Sequence, residues 1–196
     1  MKKVLTAIAI ISTLALFTNE AKAQAWSKDT KLLGLGFGAS SFYHLDSYYY
    51  GNNGRIRSFY SPITGQFNFM GEFGIHEYVG LGFTTGIGGR AGWSRGYLGE
   101  VNIPIGMIAN FHFYQLIADK TGKNIHADKL DIYAGVNLGS GVAFTYYDNN
   151  NPPRVVPLAF GGVHAGIRYY FVPKVGLNAE VGFGRQLVNL GFVFKL

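Results

Sequence analysis

Residues able to do chemistry are few in this chain and widely spaced. The run Gly34-Leu35-Gly36-Phe37-Gly38-Ala39 fits the G-x-G-x-x-A spacing with which a dinucleotide-binding turn brings backbone N–H groups against a pyrophosphate. That chemistry requires a helix N-terminus directly after the glycines, and no helical pattern follows here. Five histidines, His44, His76, His112, His126 and His164, lack the spacing of a metal site. With no cysteine in the chain, thiolate ligation, disulfides and lipid attachment at a cysteine are excluded. His44 and Ser47 share one segment, but a nucleophile needs its base within hydrogen-bond reach, and no further catalytic pattern accompanies them. The expectation is a protein with no catalytic centre, no cofactor and no resident metal.

The elements that position side chains begin after a short leader. Lys2 and Lys3, the apolar run from Val4 to Phe17 and the triplet Ala21-Lys22-Ala23 form a secretory signal, with cleavage expected after Ala23. The apolar run is 14 residues long, short of the roughly 20 that a membrane-spanning helix needs. Residues 1–23 are therefore read as signal peptide and 24–196 as one domain. Removing Lys2, Lys3, Lys22 and Glu20 takes the 17 basic and 11 acidic residues to 14 and 10, an excess too mild to imply nucleic acid.

Beyond Gln24 the apolar residues alternate with period two, the mark of strands. In Lys31 to Ser41 the series Leu33, Leu35, Phe37, Ala39 opposes Gly34, Gly36, Gly38, Ser40. The same alternation predicts strands over about Tyr60 to Ile75, Tyr78 to Gly88, Leu98 to Leu116, Leu130 to Phe144, Leu158 to Phe171, Val175 to Gly184 and Val188 to Leu196. Pro104 cannot donate to a ladder and marks a local irregularity. Connections at His76-Glu77 and Val172-Pro173-Lys174 are tight, whereas Tyr43 to Phe59 and Tyr146 to Pro157 are long and polar. Asp119 to Lys129 is read as a further loop. Eight strands in hairpin order predict an all-β, up-and-down antiparallel transmembrane barrel, closed by pairing the first strand with the eighth.

Glycine decides which face points outward. A solvent-exposed strand face rich in glycine costs about 0.5 to 1 kcal/mol per position for no packing gain. Turned inward, the same glycines make room in a narrow lumen, where bulky rows must alternate with small ones. Of the inward charges, Glu72, Arg168, Glu180 and Lys195 fall near the tight-turn end and are expected to form a cluster there, with Arg168 and Glu180 paired across adjacent strands. Lys28, Lys31, Lys120, Lys123, Lys129, Lys174 and Lys195 gather at that end, while Arg55, Arg57, Arg90, Arg95, Arg154 and Arg185 gather at the other. Arginine's planar fork binds phosphate bidentately where lysine offers a point charge. Those six arginines are therefore candidate contacts to lipopolysaccharide. Aromatics collect at both strand ends, as in an interfacial girdle.

The segments Gly166-Ile167-Arg168-Tyr169-Tyr170-Phe171, Val175-Gly176-Leu177-Asn178-Ala179-Glu180-Val181-Gly182 and Asn189-Leu190-Gly191-Phe192-Val193-Phe194-Lys195-Leu196 resemble the OmpA/OmpX-like family of small outer-membrane barrels over about Lys31 to Leu196. Many members end in phenylalanine, whereas this chain ends in Leu196. The resemblance implies a Gram-negative outer-membrane location, insertion by the barrel-assembly machinery, contact with outer-membrane lipid and lipopolysaccharide, and a monomer. It implies little about function, because the fold hosts anchors, adhesins, resistance factors and lipid-modifying enzymes. A structural or surface-interaction role, with the Tyr48-Tyr49-Tyr50 and Asn149-Asn150-Asn151 segments as contact loops, is the leading expectation. A narrow porin-like channel, a lipid-modifying enzyme and an exported lipocalin-like carrier remain as alternatives.

Overall fold

The computed structural model describes residues 24–39, 49–50, 56–57, 64–94, 97–122, 125–147 and 152–196. The expected signal peptide, His44, Ser47 and Asn149 to Asn151 lie outside the described residues. Eight long strands form the wall: β1 (Lys31–Ala39), β2 (Thr64–His76), β3 (Val79–Ser94), β4 (Tyr97–Phe111), β5 (Leu130–Tyr147), β6 (Arg154–Val172), β7 (Val175–Gly182) and β8 (Val188–Lys195). Each pairs antiparallel with its sequence neighbours, and β1 pairs with β8 through rungs such as Leu35↔Phe192 to close the ring. A separate two-residue ladder joins Tyr49–Tyr50 to Ile56–Arg57.

The alternation sorts residues as expected, apolar outward and polar inward. Leu138 is 72% exposed, Met107 69% and Phe67 66%, whereas Glu72 and Arg168 on the opposite face are 0% exposed. In water such a wall would expose a continuous apolar surface far beyond what monomers tolerate. In hydrocarbon it is the stable arrangement, because lipid meets apolar side chains and each strand of the wall has a hydrogen-bonded neighbour on both sides.

Glycine makes the lumen packable. Met70 lies over Gly34, Tyr133 over Gly166, Phe160 over Gly106 and Gly139, and Glu72 with Trp26 over Gly80. Each large side chain takes the volume a neighbouring strand leaves empty. On the outside the same device recurs, with Phe83 lying across Gly71 and Phe37 across Gly65.

Departures from the expected elements have local causes. The fourth strand stops at Phe111, and α1 (Phe113–Thr121) follows where strand and loop were expected. It ends on Gly122, whose φ of 61° suits glycine and whose N–H bonds Ala118 O at 3.0 Å. Gln115 and Ala118 of α1 are buried. The alternation runs past the end of the strand, because Phe111 and Phe113 also keep period two. The sixth strand begins at Arg154 rather than Leu158, with Pro157 inside it opposite Val142. Above Val163, whose carbonyl accepts from Phe183 N–H at 2.7 Å, β6 pairs only with β5 among the described residues, so a missing donor at Pro157 is tolerated. At Pro104 the irregularity is present: the β3–β4 ladder skips from Thr85↔Ile105 to Gly88↔Asn102 without a register shift. Thr85 Oγ1 donates to Pro104 O at 2.9 Å beside the gap.

This packing gives a direct test. A Cβ at Gly139 meets Phe160 Cζ and the Ile105 carbonyl, whereas at Gly161 its nearest neighbour is Leu138 Cδ1 at 3.4 Å. Gly139→Val is expected to abolish the folded, fast-migrating band of unheated protein on detergent gels, while Gly161→Ala retains it.

Candidate functional site in the lumen and at its outer rim

The charged residues inside the barrel come from strands that hydrogen bonding alone would never bring together. Glu72 on β2 and Arg168 on β6 stand four strands apart either way round the ring, yet Arg168 Nη2 donates to Glu72 Oε2 at 2.6 Å. Arg168 Nη1 reaches Asp131 Oδ2 of β5 at 3.3 Å, and its guanidinium lies 4.1 Å from the centre of the Tyr133 ring. His112, the residue between β4 and α1, bridges the same two acids: Nε2 lies 3.0 Å from Glu72 Oε1 and Nδ1 lies 2.9 Å from Asp131 Oδ1. Arg168 supplies the fixed positive charge between the two acids, and His112 adds a hydrogen-bonding ring nitrogen to each of them. Pairing and hydrogen bonding of this kind are what let buried ionisable groups sit without solvent.

Neutral groups extend the network upward. Asn110 Nδ2 donates to Glu72 Oε1 at 2.8 Å, and Asn110 Oδ1 lies 2.7 Å from His164 Nε2. Tyr133 donates its hydroxyl towards Asn178 Oδ1 at 2.9 Å and Glu180 Oε2 at 3.1 Å. Glu180 is held by Arg185 Nη2, whose other terminal nitrogen, Nη1, donates to Thr84 Oγ1 of β3, across the barrel, at 2.7 Å. Below the network, Trp26 stacks on His112 with ring centres 3.5 Å apart and planes 7° from parallel. The segment carrying Trp26 is tied in by Ala25 N–H to Ala127 O at 2.7 Å and Asp29 N–H to Gly74 O at 2.9 Å.

The expected interior residues are therefore distributed over three places. Glu72 and Arg168 share one cluster, Glu180 belongs to a second with Arg185, and Lys195 stands apart over the Tyr170 ring, donating to Gln24 O at 2.6 Å. The expected Arg168–Glu180 pair is not formed: Arg168 stands opposite Asn178, while Glu180 stands opposite Gly166. Asp131, His112, Tyr133 and Trp26 are partners that the sequence reading did not assign. Asp131 carried a usable signal, since it shares the face of Tyr133 two residues away.

The expected outer arginines also separate. Arg185 is 2% exposed and turned into the lumen, so it is removed from the lipopolysaccharide-contact set. The chain bends directly after β7, at Gly184, whose φ of 93° suits glycine. Arg90 lies on the lumen face of β3 and pairs with Glu100 at 3.4 Å. Arg154 is exposed at the start of β6. Arg55 and Arg95 lie outside the described residues, as does the side chain of Arg57. At the opposite rim Phe73, Phe111, Tyr169 and Phe171 are exposed together, where the lower aromatic girdle was expected.

No family model matches the chain, and no curated protein matches it. Solved structures do. The outer membrane protein OprG from Pseudomonas aeruginosa is similar at a TM-score of 0.59 and 11% identity, over 90% of this chain and 99% of that one. The N-terminal β-barrel domain of Pseudomonas aeruginosa OprF is similar at a TM-score of 0.52 and 13% identity, over 87% and 99%. At these identities the likeness is one of fold: small outer-membrane β-barrels share this architecture.

The network predicts a specific pattern of coupling. Arg168→Ala leaves Glu72 and Asp131 buried without their cation and is expected to cost about 3 to 5 kcal/mol in urea unfolding from lipid vesicles. In double-mutant cycles Arg168 is expected to couple more strongly to Glu72 than to Glu180. Equal coupling would contradict the pairing described.

Proposed function

We propose that this chain is an exported, integral outer-membrane protein of a Gram-negative envelope, with a structural or surface-interaction role rather than a transport one. The observation that carries the reading is the Glu72–Arg168 pair spanning the barrel, with Trp26, Tyr133 and Tyr170 buried beside it. A lumen filled in this way leaves the outer surface as the place for contact with other molecules. The inside-out wall and the likeness to outer-membrane barrels support the location.

Lipopolysaccharide phosphate is the partner chemistry favoured by the arginines of the outer end. Arg154 is exposed and has no ion pair among the described residues. With Arg55, Arg57 and Arg95 it forms the reduced candidate set, since Arg185 and Arg90 are engaged inside.

Replacing Arg55, Arg57, Arg95 and Arg154 together with lysine keeps the charge and removes the fork. The variant is expected to retain less lipopolysaccharide through purification, measured by mass spectrometry of the extracted lipid; unchanged retention rejects the lipopolysaccharide role. In planar bilayers the unmodified barrel is expected to be silent, and steady ohmic steps would favour the channel alternative.

A further inference from the structure

The outer half of the lumen contains three buried carboxamides with bonding capacity that the described residues leave unused. Gln66 on β2 and Asn102 on β4 flank the bare backbone of Gly88 on β3, where a Cβ would stand 2.9 Å from both Asn102 Oδ1 and Gln66 Cβ. Gly38 of β1, the register partner of Gln66 on its other side, is covered by the side chain of Gln186. Gln66 therefore stands between two neighbouring strand positions, one covered by Gln186 and the other bordered by Asn102, and the three are 2%, 1% and 4% exposed in the order Gln66, Asn102, Gln186. Gln66 Oε1, Asn102 Oδ1 and both amide atoms of Gln186 have no hydrogen-bond partner among the described residues. The Gln66 amide is oriented by its own Nε2, which donates to Asn68 Oδ1 at 2.7 Å, so its free atom is an acceptor.

Buried polar atoms are rarely left unpaired, and several in one patch indicate a missing partner. Its chemistry follows from what is unused: three acceptors and one donor. An anion cannot satisfy the acceptors, and a cation cannot satisfy Gln186 Nε2. A hydroxyl group both donates and accepts. Next inward lies a cavity of about 10 Å³ lined by Gly34, Gly36, Asn68, Asn178, Arg185 and Asn189, room for about one water. Next outward on the same strand faces stand Arg90 and Glu100.

We propose that Gln66, Asn102 and Gln186 form a hydroxyl-binding site in the outer half of the lumen, occupied by water or by a sugar hydroxyl entering from the outer mouth. The site stops above the Glu72–Arg168 layer and so requires no path through the barrel.

Nuclear magnetic resonance of the detergent-solubilised protein, observing the side-chain amides of these residues, tests it. Long-lived water contacts at Gln186 and Asn102 that glucose leaves unchanged are the result expected for water. Shifts of the same amides on adding glucose are the result expected for a sugar hydroxyl. Neither kind of contact at any of the three amides overturns the site. As an independent check, Gln186→Met removes the amide at nearly constant shape. The variant is expected to unfold at the same or a lower denaturant midpoint, because a hydrated amide loses its bonds; a raised midpoint would show a dry, frustrated amide and overturn the proposal.

Discussion

In hydrocarbon a backbone N–H or C=O has only other backbone groups to bond, and the architecture follows from that constraint. A sheet in lipid has no tolerable edge, so β1 must return to β8 and the strand count must close a ring. The few places where the ladder cannot be completed are handled locally. Beside Pro104, where the β3–β4 ladder skips, a neighbouring strand supplies the hydroxyl of Thr85, and Pro157 sits where β6 has already lost one neighbour.

Closure with few strands makes a narrow lumen, and lipid on the outside sends the polar residues into it. Two requirements then compete: the space must be filled at near crystal density, and no charge can be left alone. Glycine meets the first, giving a neighbouring strand's side chain room at position after position. Bonds across the barrel meet the second. Glu72 and Arg168 meet from opposite walls, and Arg185 reaches from the segment after β7 to Thr84 on β3. Such pairs add little over an apolar filling of the same shape, yet losing one member leaves a buried charge.

Much of the fold was legible because one signal, period-two alternation, serves both secondary structure and orientation. Leu35 against Gly36, or Val163 against His164, assigns both the strand and its lipid face. The helix α1 was hidden by the same signal, since Phe111 and Phe113 satisfy it before the chain turns helical. Strand tips were underread where Pro157 and the glycines before Ser94 mimic loop chemistry. The candidate site was legible only as a set of inward residues. Alternation shows that Glu72 and Arg168 face the lumen, but it carries no information on which side chains meet across it.

From its sequence alone, this protein is determined to be a closed barrel with apolar wall, polar lumen and two chemically different ends, because facing and strand order are local properties of the chain. Only the tertiary structure decided the partners. The register and closure of eight strands around the ring set Arg168 against Glu72 and Asp131 rather than Glu180. They also drew Arg185 from the expected outer rim into the lumen. Those distances accumulate over the whole circumference, and no single segment of the sequence contains them.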